Sequence, residues 1–365
     1  MMHGLRRRLP GRRSPAAAIL LAAGLVASQA AIALAADPPA GETIYFWRLS
    51  DASQMAVRPD GSGLTALGCR GERTFGGAPR RVLRLEATGD RFQSWIGSGT
   101  WWPFDVQRVV SRDEQCGDPV VLWAPGPGYA LDWASWSVDG RRVAISARHF
   151  DTGGQLLEQG LWVGNIDPAC GTALCDVHLA VALPMWPTSD PGGDLVGYAN
   201  FAIIPSWSSD GRHVTYVRGP EPGAPGGVFV ADVGLPGDSA VRADVQVPIA
   251  GAHPYGQTYP VFSPVAGSDL IAYSETTSAR GTPRAEIFVI PATGGTPRQV
   301  TSTKTTSSYQ IAQPSWSPDG RSIAFAGSYG GSGNGIWRIA ADGRSKAVLV
   351  AGAKTWLYAS PRWRR

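Results

Sequence analysis

Short apolar segments alternate with turn residues along this chain, and one such unit recurs. The clearest copy spans residues 314–325, where Trp316 precedes an Asp-Gly dipeptide at 319–320 and an apolar run follows at 323–325. Gly adopts positive φ without steric cost, and β-prone residues flank the dipeptide on both sides. The unit therefore predicts a strand, a tight hairpin turn and a second strand.

Further copies of this unit share an aromatic residue, a turn and an apolar run, and they lie at residues 75–85, 135–145, 206–216 and 261–273. The first of these lacks the Asp-Gly dipeptide, and the last has a longer turn. Each end of the chain adds half a unit, because residues 360–365 stop after the aromatic residue and residues 41–46 begin at the turn glycine. Joined, the two halves make a sixth copy.

A repeat of this size, built from short strands, is typical of a solenoid, an array or a propeller. The divided sixth unit favours a ring, since pairing the last strand with the first ones removes the unpaired edges of an open array. We therefore predict an all-β fold: a six-bladed β-propeller of four-stranded antiparallel blades, closed by the C-terminal strand joining the N-terminal blade. Seven blades would result if the insert at residues 88–104 contained another unit.

The recurring aromatic and Asp side chains are interpreted as structural. One aromatic residue per unit is expected to pack between neighbouring blades, and the set is Trp136, Trp207, Phe262, Trp316 and Trp363, with Phe75 in the weaker copy. Emptying such a position should cost about 3–5 kcal/mol. Asp139, Asp210 and Asp319 are expected to form turns, because residues spread around a ring cannot converge on one substrate.

Residues 1–36 have the pattern of a secretion signal. Five arginines precede the apolar run 16–26, and Ala33 and Ala35, which flank Leu34, offer a small-residue cleavage site. The run is short for a bilayer span, so a retained membrane anchor is disfavoured. We expect an exported protein, periplasmic or extracellular, with one propeller domain over residues 41–365 and no integral membrane span after cleavage.

Charge and composition narrow the classes of partner. The whole chain has 33 Lys and Arg against 29 Asp and Glu, but five of the arginines belong to the leader. The exported part is therefore close to neutral, which argues against a nucleic-acid partner. Only 17% of residues are charged, while 46 Gly, 29 Pro and 14 Trp suit turn-rich β structure.

Four cysteines are an even number in an exported chain, which favours two disulfides over free thiols. Three pairings are open from sequence. Cys170 and Cys175 lie close enough to staple one hairpin, and Cys69 with Cys116 would then tie the first two blades. A metal or redox site is disfavoured, because there is no second close Cys pair and no neighbouring His pattern.

The repeat at residues 316–321 resembles the WD40-like repeat (PD40) of TolB-type six-bladed β-propellers, and the resemblance covers residues 41–365. The copies at 136–140 and 207–211 lack the Pro of that motif. The resemblance implies the propeller fold and, in TolB, a periplasmic binding and scaffolding role. TolB has an α/β domain ahead of its propeller, so its own partner role is not carried over. Peptidases share the repeat but need a hydrolase domain, and no Gly-x-Ser-x-Gly motif is present.

Aromatic residues of the inter-blade connections predict a binding face. On the propeller these connections share one side, and aromatic side chains on loops over a rigid scaffold suit recognition of a protein, peptide or glycan. The expected set is Trp186, Tyr198, His253, Tyr255, Tyr309, Trp356 and Tyr358. The simpler alternative is that these side chains fill the central funnel or pack on neighbouring loops.

The histidines give no pattern for a metal site. His149 and His253 are expected on one face, and His178 and His213 on the other. We therefore predict a monomeric, non-enzymatic exported propeller that needs no cofactor or metal and binds a protein, peptide or glycan of the cell envelope. The alternative is a propeller enzyme, a metal-assisted lyase or hydrolase acting on a polysaccharide. A third hypothesis makes the ring a structural spacer in an envelope assembly.

Overall fold

The computed structural model describes residues 41–48, 51, 53–70, 81–87, 107–113, 117, 119–152, 155–183, 203–219, 226–251, 257–279, 282–302, 312–329, 334–352 and 358–364. These residues form 23 β-strands and one turn of 3-10 helix at Pro168–Cys170. No helix within the described ranges is long and apolar enough to cross a bilayer.

The strands follow one another closely, as the short apolar segments of the sequence predict. In chain order they are β1 (Thr43–Arg48), β2 (Ser53–Val57), β3 (Thr65–Arg70), β4 (Arg81–Ala87), β5 (Gln107–Asp113), β6 (Val120–Trp123), β7 (Tyr129–Trp136), β8 (Arg142–Phe150), β9 (Leu156–Ile166), β10 (Leu174–Ala182), β11 (Ile203–Trp207), β12 (His213–Arg218), β13 (Gly227–Asp232), β14 (Asp244–Gln246), β15 (Gln257–Phe262), β16 (Leu270–Ala279), β17 (Thr282–Pro291), β18 (Arg298–Gln299), β19 (Ala312–Trp316), β20 (Ser322–Ser328), β21 (Asn334–Ala340), β22 (Val348–Gly352) and β23 (Tyr358–Arg364).

The sheets are the four-stranded antiparallel blades of a β-propeller. Four of them take consecutive strands, β7 to β10, β11 to β14, β15 to β18 and β19 to β22. A fifth has the order β23-β1-β2-β3, with Ile44 opposite Trp363 and Thr43 opposite Arg364. The sequence predicted six four-stranded blades, and the described residues contain five together with a three-stranded sheet, β4 to β6. The difference arises at the weak copy, because Phe75 and its neighbours lie outside those residues.

The strands β7, β11, β15, β19 and β23 contact one another in turn. Each has one extra residue relative to the strand it pairs with, which is a β-bulge. In four of them a non-glycine residue with positive φ stands three positions before the aromatic residue, and it is followed by proline; these residues are Ile204, Tyr259, Gln313 and Ser360. Because proline has no N–H to donate, the bulge and the proline together keep this edge from pairing with another strand.

Hydrophobic clusters fill the spaces between adjacent sheets, and each contains one aromatic residue of the repeat. These residues are at most 8% exposed: Trp136, Trp207, Phe262, Trp316 and Trp363. Trp207, for example, packs with Val163 and Leu161 of β9 in the preceding sheet and with Val214 of its own. The core of this propeller therefore lies between blades rather than in one central mass.

The Asp-Gly turns are longer than the two-residue hairpin that the dipeptide suggested. The Gly320 amide donates to the Ser317 carbonyl, so glycine is the fourth residue of the turn and has φ of +69°. The Asp319 carboxylate accepts from the Ser317 hydroxyl at 2.6 Å and from the Arg321 amide at 3.0 Å. The hydrogen bond from the Ser317 hydroxyl lowers the pKa of Asp319. Asp139 and Asp210 accept the equivalent hydrogen bonds in their own turns.

One disulfide joins Cys170 to Cys175, with 5.8 Å between the Cα atoms. It closes the turn between β9 and β10, beside the single 3-10 turn. Cys69 lies in β3, and Cys116 lies outside the described residues.

Candidate binding cavity

A cavity of about 660 Å³ is lined by the five strands β7, β11, β15, β19 and β23 and by the turns that follow them. Its volume lies within the roughly 300–1,000 Å³ that is usual for ligand pockets. The wall is formed by the residues just before each repeat aromatic and by turn residues such as Val138, Ala266 and Pro318. The same bulged strands that shape the blades therefore shape the cavity.

The cavity wall is mainly apolar and rigid. Pro205, Pro260 and Pro314 occupy equivalent positions on three strands, and all three are buried. Trp133 and Tyr259 add partly exposed aromatic surface. Because proline fixes its own φ and restricts the residue before it, this part of each strand has little conformational freedom to lose when a ligand binds.

Hydrogen bonds join the inner strands of neighbouring blades across the wall. The indole N–H groups of Trp207 and Trp316 donate to the carbonyls of Ser135 and Val261, at 3.1 and 3.0 Å. The Ser206 hydroxyl accepts from the Phe262 amide at 3.2 Å. In the same way, the Ser315 hydroxyl accepts from the Trp363 amide at 2.9 Å. These contacts fix the wall and occupy two of its hydroxyl groups.

Charged groups stand at one part of the wall. Arg362 and Arg364 of β23 both line the cavity, as does Asp319. Burial, together with the nearby positive charge of Arg364, lowers the pKa of Arg362 to about 10. Arg362 is nevertheless partly exposed, because its side chain borders the cavity. The Asp319 carboxylate is engaged by its own turn, as described above.

Most residues of the predicted binding face lie outside the described residues; these are Trp186, Tyr198, His253, Tyr255, Tyr309 and Trp356. The exception is Tyr358, which is 5% exposed and belongs to the hydrophobic cluster between two blades. Its ring lies edge-on to Phe46, with 4.9 Å between centroids. Its position in β23, paired with β1, places it in the core, so Tyr358 has a packing role here rather than a place on an open face.

The described histidines are far from sharing one site. His149 stacks on Tyr129 at 4.1 Å and lies 3.3 Å from Glu158. His178 contacts the Asp176 carbonyl, and His213 lies 3.7 Å from Asp210. Across the part of the chain that the structure describes, no group of three or more His, Cys, Asp or Glu residues could hold a metal ion.

The cavity residues were missed in the sequence, although a signal for them exists. Aligning the units on the aromatic residue places Pro205, Pro260, Pro314 and Pro361 in one column, two positions before it. In the next column, Arg362 replaces the Ser or Val of the other units. A column of prolines indicates a shared backbone constraint, and a single arginine in a column of small residues indicates a local function.

Comparisons with known proteins bear on the fold. No protein-family profile matches the chain, and no curated protein matches it in sequence. The chain is similar in structure to TolB from Acinetobacter baumannii, with 14% sequence identity and a TM-score of 0.56 over 90% of this chain and 68% of that one.

Two further solved structures have lower scores. A putative TolB from Agrobacterium tumefaciens matches 89% of this chain and 98% of its own, at 14% identity and a TM-score of 0.47. The β-propeller domain of the Trilobed protease from Pyrococcus furiosus matches 87% of this chain and 83% of its own, at 7% identity and a TM-score of 0.46. The fold and the likeness to TolB together define the class of this protein as a β-propeller.

Proposed function

We propose that this protein is an exported, non-enzymatic binding or scaffold protein that takes a segment of its partner into the central cavity. The observation that carries this proposal is the cavity itself, about 660 Å³ in volume and lined by five inner strands. Its apolar wall is held by hydrogen bonds between blades, so it is formed before any ligand arrives. The partner is a protein, peptide or glycan of the cell envelope, and the protein acts as a monomer.

The predicted binding face remains part of this proposal. Aromatic side chains of the long connections would extend the contact beyond the cavity, and six of them are named above. Export is supported by the signal pattern of residues 1–36 and by the Cys170–Cys175 disulfide, since disulfides persist in oxidising compartments. The periplasm or the extracellular space is therefore the proposed location.

A capture experiment with a blocked cavity tests the function. Val138 and Ala266 line the cavity and are exposed, so tryptophan at both positions adds bulk without disturbing the core. Envelope extract of the source cell is passed over the immobilised wild type and over the Val138→Trp/Ala266→Trp variant. We expect the blocked variant to lose the partner that the wild type captures, as identified by mass spectrometry.

The matched control is Val245→Trp/Ala173→Trp, which makes the same two changes at exposed positions outside the cavity. This control should capture the partner as the wild type does. Equal capture by the blocked variant would show that the partner binds elsewhere, and the proposed role of the cavity would be abandoned.

We also propose that β4 to β6 belong to a sixth blade, whose inner strand comes from the weak copy at Phe75, and that the β1–β23 pair closes the ring. Trp136 packs with Val109 of β5 and Leu122 of β6, which supports this assignment because the other repeat aromatics also pack against an adjacent sheet. The indole N–H of Trp136 is buried and has no acceptor among the described residues. The indoles of Trp207 and Trp316 donate to the carbonyl of the residue before the preceding aromatic, a position that Thr74 holds for Trp136. The Trp363 indole differs, because it donates to Glu42.

Comparison of two conservative variants tests the sixth blade. If Trp136 donates to a carbonyl of a sixth inner strand, Trp136→Phe and Trp207→Phe lose the same hydrogen bond. Both should then lower the free energy of unfolding alike, to within about 0.5 kcal/mol, as measured by denaturant titration. If the Trp136 indole has no acceptor, Trp136→Phe removes an unsatisfied buried group. Trp136→Phe would then lower the free energy of unfolding by less than Trp207→Phe does, with a difference of about 1 kcal/mol or more.

A further inference from the structure

The alignment position immediately before the repeat aromatic residue shows which residue types the propeller fold requires there. It contains Ser135, Ser206, Val261 and Ser315 in four blades and Arg362 in the fifth. Two of the serines accept a backbone N–H of the next blade, so a small residue with a hydroxyl serves the structure. Nothing in this pattern calls for a long cation, and Arg362 therefore needs another explanation.

The surroundings of Arg362 are unfavourable for a positive charge. Within the described ranges, Arg362 donates one hydrogen bond, from Nη1 to the Pro361 carbonyl at 3.2 Å, and no carboxylate pairs with it there. Arg364 stands two positions further along β23, hence on the same face of the strand, and also lines the cavity. The Arg364 guanidinium lies 5.5 Å from the centre of the Tyr45 ring. Two like charges thus share one wall.

An anion bound in the cavity would offset both the burial of the Arg362 charge and its repulsion by Arg364. Among the described residues of the wall, Asp319 is the only acidic one, and its carboxylate already accepts hydrogen bonds from Ser317 and Arg321 in its own turn. A ligand carboxylate could accept two parallel N–H groups from a guanidinium, which is the strongest geometry that arginine offers. The positive part of the wall therefore selects for negative charge in whatever enters.

The rest of the cavity wall indicates which class of ligand carries the negative charge. The prolines of the inner strands have no N–H, and the hydroxyl oxygens of Ser206 and Ser315 each accept a backbone N–H already. A sugar presents a hydroxyl on nearly every carbon, whereas an apolar peptide segment has only its backbone groups to pair and can place its side chains against apolar surface. We propose, resting on the function proposed above, that Arg362 together with Arg364 binds a carboxylate of a peptide ligand whose other side chains lie against the apolar wall.

Three peptide libraries of matched length test this inference on the full exported chain. One has free C-terminal carboxylates with Asn and Gln in place of Asp and Glu, one has amidated ends with Asp and Glu, and one has neither kind of carboxylate. We expect the wild type to retain one carboxylate-bearing library roughly tenfold more than the neutral one. The library that is retained identifies the C-terminal or the side-chain carboxylate as the source.

Arg362→Ser should abolish this preference, and Arg344→Ser should keep it, because Arg344 is exposed outside the cavity. A stability readout separates a binding role from a structural one. Serine is the residue of three other blades, so Arg362→Ser should raise the melting temperature, whereas loss of a structural arginine would lower it. Arg364→Gln, which removes the neighbouring charge, should weaken the preference as well.

The inference fails if Arg362→Ser keeps the preference, if its melting temperature falls, or if only oligouronides added as a glycan arm are retained. Retention of neutral and acidic peptides alike, lost in Val138→Trp/Ala266→Trp, would overturn the carboxylate assignment and leave the proposed cavity function standing. No retention of any probe, together with partner capture by the blocked variant, would overturn both.

Discussion

Trp207→Ala is expected to lower the free energy of unfolding by about 4 kcal/mol. The side chain is 2% exposed, lies in the cluster between the blade of β7 to β10 and the blade of β11 to β14, and donates its indole N–H to the Ser135 carbonyl. Alanine would leave a cavity and remove the hydrogen bond to that carbonyl. Because hydrogen bonds between the inner strands also hold the neighbouring blades in place, we expect little relaxation to fill the space. Denaturant titration monitored by circular dichroism measures the change.

Trp207→Phe is the matched control, because Phe262 occupies the equivalent position in the next blade. It keeps an aromatic ring in the cluster and loses the hydrogen bond, so it should cost much less than alanine. A loss of under about 1 kcal/mol for Trp207→Ala would mean that the space between these blades collapses or that the blades are not held by the cluster.

Arg142→Ala is expected to destabilise the protein by about 3 kcal/mol. Arg142 is 3% exposed and reaches from β8 into the following blade. It donates to the carbonyls of Gly211 and Gly234 at 2.7 Å each and to Asn165 Oδ1 at 3.2 Å, and it lies 4.9 Å from the centre of the Trp207 ring. Burial lowers the pKa of Arg142, which shows that desolvation opposes the charge. Removing the side chain nevertheless leaves several buried acceptors without donors.

Arg141→Ala provides the control, because Arg141 is the exposed neighbour in the same turn and should change stability by less than about 0.5 kcal/mol. Arg142→Lys should fall between the two, since an ammonium group cannot reproduce the planar fork of donors. Arg142 and Trp207 touch, so the double variant should cost less than the two single changes added. Additive costs would show that the side chains act independently.

The sequence predicted those features of the fold that depend on the repeat itself. The spacing of Trp316 from its turn located a hairpin and a residue buried between blades, because both depend on local pattern and on one repeated contact. The blade count was harder. The copy at Phe75 lacks the Asp-Gly turn, and the structure describes three strands there instead of four.

The candidate site was not predicted, for a physical reason. The cavity is formed by residues whose neighbours lie one blade away, such as Ser206 beside Phe262, and such contacts do not appear in the periodicity of one strand. Tyr358 was placed on a loop face because aromatic residues in connections are common at binding sites. Its pairing opposite Arg48 in β1 puts it inside the core instead. Arg142 gave no signal at all, since the equivalent positions hold His213 and Ser322.

The β1–β23 pair has a consequence for biogenesis. The indole of Trp363 donates to Glu42, which lies 321 positions earlier in the sequence. The blade that contains β1 to β3 therefore gains β23 as its fourth strand only after the intervening residues have been synthesised. Until then one side of β1 offers unsatisfied amides and carbonyls to any passing chain. Folding of this protein therefore requires β23 to dock before β1 pairs with another chain, and removing the last few residues of β23 should lower the yield of folded protein far more than their number suggests.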